Sequence, residues 1–251
     1  MLLGFFFKMH IDNSAQTLRS FLTKLRQQDQ GLSTKKALIN VFDIPESPER
    51  DSILWEKIAK FMCIPQKINE TIQDYFPDEE IPAPNWRPSL HQFFTCLNLN
   101  EPLQNALSRV SDAALNDLGM LSILFKTKGQ VGKLKTDKIQ EIMQQLLELK
   151  KSVMGSEFEV ETRKDILHYI NNMIRAFEDY ELTGIEPIIS ATEATMGHAC
   201  MSEPFNKMMK TTETGSKLKD IVKTTVESIN RVEGLVSLGA NGLTLLEYFN
   251  K

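Results

Sequence analysis

The feature that most constrains this chain is the 3.6-residue repeat of its apolar side chains. Leu18, Phe21, Leu22 and Leu25 fall at i, i+3, i+4 and i+7, the spacing that lines one face of a helix. Asn13 and Ser14 stand just before them, and both side chains suit a helix N-cap. Similar stripes recur to the end of the chain, while the alternating pattern of a half-buried strand is nearly absent. The 251 residues include only 12 glycines and 10 prolines, and these cluster between the periodic runs. That leaves too few turns for an all-β sandwich. The sequence therefore predicts an all-α fold.

The first half reads as an irregular set of helices. Gly31 ends the first helix, and Ser33 caps a short second one carrying Ala37, Leu38, Val41 and Phe42. Ser47-Pro48, a cap followed by proline at the first helical position, opens a third with Ile53, Leu54, Ile58, Phe61 and Met62. Pro65 is expected to stop it, with a further short helix holding Ile68, Ile72 and Tyr75. From Phe76 to Pro88 the prolines at 77, 82, 84 and 88 remove amide donors and fix φ, which predicts an extended connection. Trp86 is expected to pin this loop into a groove, or to serve with Arg87 as a docking point for a partner. A helix from Ser89 presents Leu90, Phe93, Phe94 and Leu97. Pro102 opens one with Leu103, Leu107, Val110, Ala114 and Leu118, ended by Gly119. Met120–Phe125 fits either a buried helical turn or one strand of a small hairpin.

The second half is more regular. Thr136 caps a helix with Ile139, Ile142, Met143, Leu146 and Leu147, broken at Gly155-Ser156. A long helix follows with Val160, Ile166, Leu167, Ile170, Ile174 and Phe177, with Tyr180 near its end and Gly184 terminating it. Pro187 opens a helix of small residues, Ala191, Ala194 and Ala199, which permits close approach of a neighbour. Glu203-Pro204 separates it from a stripe of Leu218, Ile221, Val222, Val226, Ile229 and Val232, and the run Leu235–Phe249 suits a buried terminal helix. These runs predict four parts: a flexible extension over 1–8, a helical domain over 9–125, a basic connection over 126–135, and an antiparallel helical bundle over 136–251.

Charge and cysteine usage narrow the function. A net charge of −4 disfavours nucleic acid as the main partner. Three widely spaced cysteines, Cys63, Cys96 and Cys200, make a disulfide framework unlikely and point to the cytoplasm. Their apolar neighbours suggest buried thiols. The apolar start, Met1 to Phe7, lacks the preceding basic region and the cleavage site of a secretory signal, and Met9 reads as the start of the folded part. No stretch approaches the roughly 20 apolar residues of a membrane span.

The usual chemical motifs are missing. His91 with Cys96, and His198 with Cys200, lack the short ligand spacing of structural zinc sites. Gly129-Gln-Val-Gly132-Lys133 is two residues short of a phosphate loop, and Leu134 stands where a hydroxyl would bind magnesium. No nucleophile elbow is present, and the acidic run Asp78-Glu79-Glu80 lies in a loop, a poor setting for acid–base catalysis. The helix around Asp51–Met62 offers only Arg50, Lys57 and Lys60 as basic groups, offset by Glu49, Asp51 and Glu56, which is weak for reading DNA. The expectation is a chain with no catalytic site, no metal and no cofactor. Only a pocket joining His91, His168 or His198 to a carboxylate would reopen the enzyme reading.

The stretch from Asp137 to Gly197 runs Ile139, Ile142, Leu146 and Leu149, a break at Gly155-Ser156, then Ile166, Ile170, Ile174 and Tyr180, then Gly184 and a small-residue helix. This order resembles the helical C-terminal region of uncharacterised bacterial proteins encoded by mobile elements and phage-defence islands. It covers about a quarter of the chain and carries no catalytic motif to these positions. The resemblance implies a bacterial accessory protein working through protein contacts. The expected partner is another protein or a second copy, through Trp86, Arg87, Lys126, Lys128, Lys133 and Lys135. The alternative is a nucleic-acid-associated regulator using the 126–135 lysines, which carry no intervening acid, or the N-terminal helices.

Overall fold

A computed structural model describes residues 12–128 and 133–232. The expected extension over 1–8, the glycines of the basic connection and the apolar run over 235–249 lie outside the described residues. Those residues form twelve α-helices and no strand; Ser33 and Pro102 make one isolated antiparallel bridge. The fold is all-α. No helix among them is long and apolar enough to cross a membrane. The chain divides into two compact units, at Asp12/Asn13 and at Lys128/Gly129.

The first unit holds α1 (Ser14–Arg26), α2 (Thr34–Val41), α3 (Arg50–Tyr75), α4 (Trp86–Thr95), α5 (Leu103–Leu107) and α6 (Asp112–Lys128). Helix α1 is its centre, packing on α2, α3 and α6, with Leu18, Leu22 and Leu25 fully buried. Asn13 caps it by accepting the Gln16 amide at 2.9 Å, and its own amide donates to the Ser122 carbonyl at 3.0 Å. One side chain thus closes the start of α1 and ties it to α6. At the other end Arg26 donates to Asp112 and to the Val110 carbonyl, both at 2.5 Å.

Four elements differ from the sequence expectation. Pro65 does not stop α3, which runs unbroken from Arg50 to Tyr75. An interior proline costs about 3 kcal/mol. Leu54, Ile58, Phe61, Ile64 and Ile68 are all buried on one continuous stripe through it, and each contributes roughly 1.5–3 kcal/mol. Ser47-Pro48 forms a turn instead of a cap, with the Arg50 amide donating to the Ser47 carbonyl at 3.2 Å. Gly119 does not end a helix. It lies inside α6 beneath Arg19, whose guanidinium would stand 3.2 Å from a Cβ there and whose Nε donates to the Leu115 carbonyl at 3.1 Å. Met120–Phe125 is therefore helical. The break falls earlier, between α5 and α6, where Ser111 accepts the Ala114 amide at 3.1 Å.

The second unit holds α7 (Thr136–Met154), α8 (Val160–Glu178), α9 (Tyr180–Thr183), α10 (Glu186–Met201), α11 (Glu203–Thr211) and α12 (Glu213–Asn230). Helix α8 packs on α7, α10 and α11, and α12 packs on α7 and α11. Their shared core gathers Leu146, Leu149, Ile166, Ile170, Phe177, Phe205, Leu218 and Val226. Pro204 opens α11 behind a Ser202 cap where the sequence showed only a separator, because proline is tolerated in a first turn whose amides have no intrahelical partner.

Asp12, the first described residue, belongs to this unit. Its carboxylate accepts the Ile185 amide at 3.1 Å and the Glu186 amide at 3.4 Å, placing negative charge at the start of α10. Gly184 makes room for it: φ is +78°, and a Cβ there would overlap the Asp12 carboxylate. Gly184→Ala should destabilise the unit by about 2 kcal/mol or more, and Asp12→Ala by about 1 kcal/mol. Urea unfolding of both variants checks the order.

Tyr180 supplies the other long tie, its hydroxyl accepting the amide of buried Leu134 at 2.8 Å. Burial pushes its phenol above the ordinary value near 10, against the Leu134 hydrogen bond and helped by Asp12 and Glu181. Because the folded chain holds that proton more tightly, stability is full below pH 10 and falls as pH rises from there. Tyr180→Phe should remove this part of the alkaline loss while costing about 1–2 kcal/mol at neutral pH. Thermal unfolding at pH 7 and above pH 10 checks both.

Candidate functional site

Two helices of the first unit leave a groove between them. Its floor and walls come from Met62, Pro65 and Asn69 on α3 and from Trp86, Arg87, Leu90, His91, Phe94 and Thr95 on α4, around a cavity of about 400 Å³. Trp86 and Arg87 were singled out by sequence. They sit in the first turn of α4, not in the extended connection, and Pro88 falls in that same turn where its missing N–H costs little.

Trp86 is buried to 1% exposure. It is therefore a wall of the groove, and the exposed Arg87 guanidinium lies 5.3 Å from its ring centroid. That distance fits a cation–π contact. The position of this turn depends on α6. Asp117, itself buried, accepts the Asn85 amide at 2.6 Å and stands 3.5 Å from the Asn85 side-chain nitrogen. Phe76 at the end of α3 stacks on Phe125 of α6 at 6.0 Å, which fixes the other end of the connection.

Below the groove lies an aromatic cluster. Phe61 meets Phe21 at 4.6 Å, Phe94 at 5.3 Å and Phe93 at 6.3 Å. Phe94 belongs to both, touching the cluster and lining the cavity. The polar lining is sparse. The Asn69 carboxamide oxygen is buried with no protein donor, and no carboxylate lines the cavity. From the cavity outward along α3, Met62, itself a lining residue, is 47% exposed and Trp55 59%, seven residues apart on one face, with exposed Ala59 between them. The sequence reading had placed Met62 in the core, and the structure turns it out.

The remaining predicted residues lie elsewhere. Lys126 is exposed and Lys128 closes α6 in the first unit, whereas Lys133 and Lys135, both exposed, precede α7 in the second. The three cysteines are exposed, not buried: neighbouring Ile64 and Ala199 take the core positions beside Cys63 and Cys200, and Cys96 caps the end of α4.

In the second unit one histidine meets a carboxylate. His198 Nε2 lies 3.4 Å from Asp165 but is not aligned for a hydrogen bond. Its ring stacks on Tyr169 at 4.7 Å and meets the Phe205 ring at 5.0 Å. Burial, then the Asp165 charge, push the Tyr169 phenol above its ordinary value. Among the described residues no group of three or more His, Cys, Asp or Glu side chains is placed to hold a metal. The chain matches no family model, no curated protein and no solved structure.

The Asp117 tie yields a direct test. Asp117→Ala removes a charge-assisted hydrogen bond and leaves the Asn85 amide unpaired, a loss of about 2 kcal/mol. In a Trp55→Phe background, where Trp86 is the remaining tryptophan, its emission should move to longer wavelength as the first turn of α4 loosens.

Proposed function

We propose that this chain is a non-enzymatic helical protein that acts by docking another protein on the α3–α4 face of its first unit. The observation that carries the reading is the exposed pair Trp55 and Met62 on one face of α3. Large apolar side chains held in water are unfavourable, and covering them lowers the free energy. Tryptophan and methionine are also enriched at the centres of protein interfaces. The face adjoins a groove with a guanidinium, Arg87, at its edge, and arginine, like tryptophan, is enriched among the residues that carry interface energy. The resemblance of residues 137–197 to proteins of mobile elements and phage-defence islands suggests the setting: an accessory, sensing or immunity-type component of a bacterial defence system.

Placing a charge on the face tests the reading. With Trp55→Glu and Met62→Glu combined, a protein retained by the unaltered chain in its native cells should bind about thirtyfold more weakly or worse. Circular dichroism should show the fold intact, since both side chains are exposed. A chain that retains no protein, or whose retained protein is held equally by the double variant, overturns the proposal.

A further inference from the structure

The α3–α4 cavity has the attributes of a small-molecule site and shares Met62 and Arg87 with the docking face beside it. Its volume of about 400 Å³ lies within the range of about 300–1,000 Å³ typical of ligand pockets. The walls are apolar and aromatic, from Met62, Trp86, Leu90 and Phe94. Such surfaces recognise a flat, apolar body.

Charge decides the rest. Arg87 and His91 line the cavity and no aspartate or glutamate does. Arg87 makes no ion pair among the described residues; its guanidinium is held against the Trp86 ring. That contact restrains the planar fork without occupying its donors, which remain available to a carboxylate in the bidentate geometry arginine favours.

We propose that this cavity binds a small organic monoanion: a planar apolar body against Met62 and Phe94, and a carboxylate or similar anionic group on Arg87. Arg87 at the cavity sets the charge preference, and the aromatic walls set the shape.

The test uses the full-length chain with Trp55→Phe, so that the indole N–H resonance of Trp86 reports on the cavity alone. 2-Naphthoate and its neutral counterpart 2-naphthalenemethanol are titrated in turn, with inorganic phosphate as a third arm. The expected result is a saturable shift of the Trp86 resonance by naphthoate. The neutral alcohol should bind about tenfold more weakly, and phosphate should leave the resonance unmoved. Arg87→Gln should make the two naphthalenes equal. Thr95→Phe, a change at an exposed rim position, should weaken both while thermal unfolding stays unchanged. Equal binding of acid and alcohol to the unaltered cavity overturns the anion assignment. No saturable shift by either, or shifts that survive Thr95→Phe, overturns the site. The titration involves no protein partner, so its failure leaves the docking proposal standing, and the loss of a docked protein in the Trp55/Met62 variant leaves this one standing.

Discussion

Continuous burial along α3 is the constraint on which the first unit depends. The stripe Leu54, Ile58, Phe61, Ile64, Ile68 enters the core without a gap, and it outweighs the proline in its midst. If α3 ended at Pro65, the helix would lose Ile68 from its buried face and Asn69 from the groove. Phe61 stands at the middle of that stripe and in contact with Phe21, Phe93 and Phe94, so the same residue anchors α1 and α4. The outward side of α3 is then set by default. Trp55 and Met62 fall on the flank of that stripe, beside Ile58, and are left exposed there.

The second unit is held differently. Its helices share an apolar core, but two of its turns depend on single polar side chains from far along the chain: Asp12 at the start of α10 and Tyr180 at the amide of Leu134. Both satisfy backbone donors that secondary structure leaves open. Asp12 has its place only because Gly184 adopts a backbone conformation that a side chain would forbid.

Much of this was legible in the sequence, and the misses share a cause. Local signals were read correctly where the deciding partner is local: the Asn13 cap, the Ser33 cap, the stripe Leu18–Leu25, the proline-opened α10. They failed where a distant contact decides. Gly119 looks like a helix end until Arg19 is seen to lie over it, and Pro65 looks like a stop until Phe61 and Ile68 are seen to be buried on either side. The candidate site shows the same split. Trp86 and Arg87 stood out among prolines, but Met62, Asn69 and Phe94 join them only because α3 and α4 pack together. No spacing rule links residues so far apart in the chain.

The sharing of Trp86 between core and groove divides the lining into two evolutionary classes. Trp86 and Leu90 are 1% and 2% exposed, so a change at either is judged first by whether the unit still folds. Arg87, His91 and Thr95 lie on the same helix and face the same cavity, yet are exposed. The fold tolerates their exchange, which would alter the charge and size of the groove while the buried Trp86 and Leu90 stay fixed. Among descendants of this chain, preference would drift quickly at three positions on one face of α4, over a scaffold that barely changes.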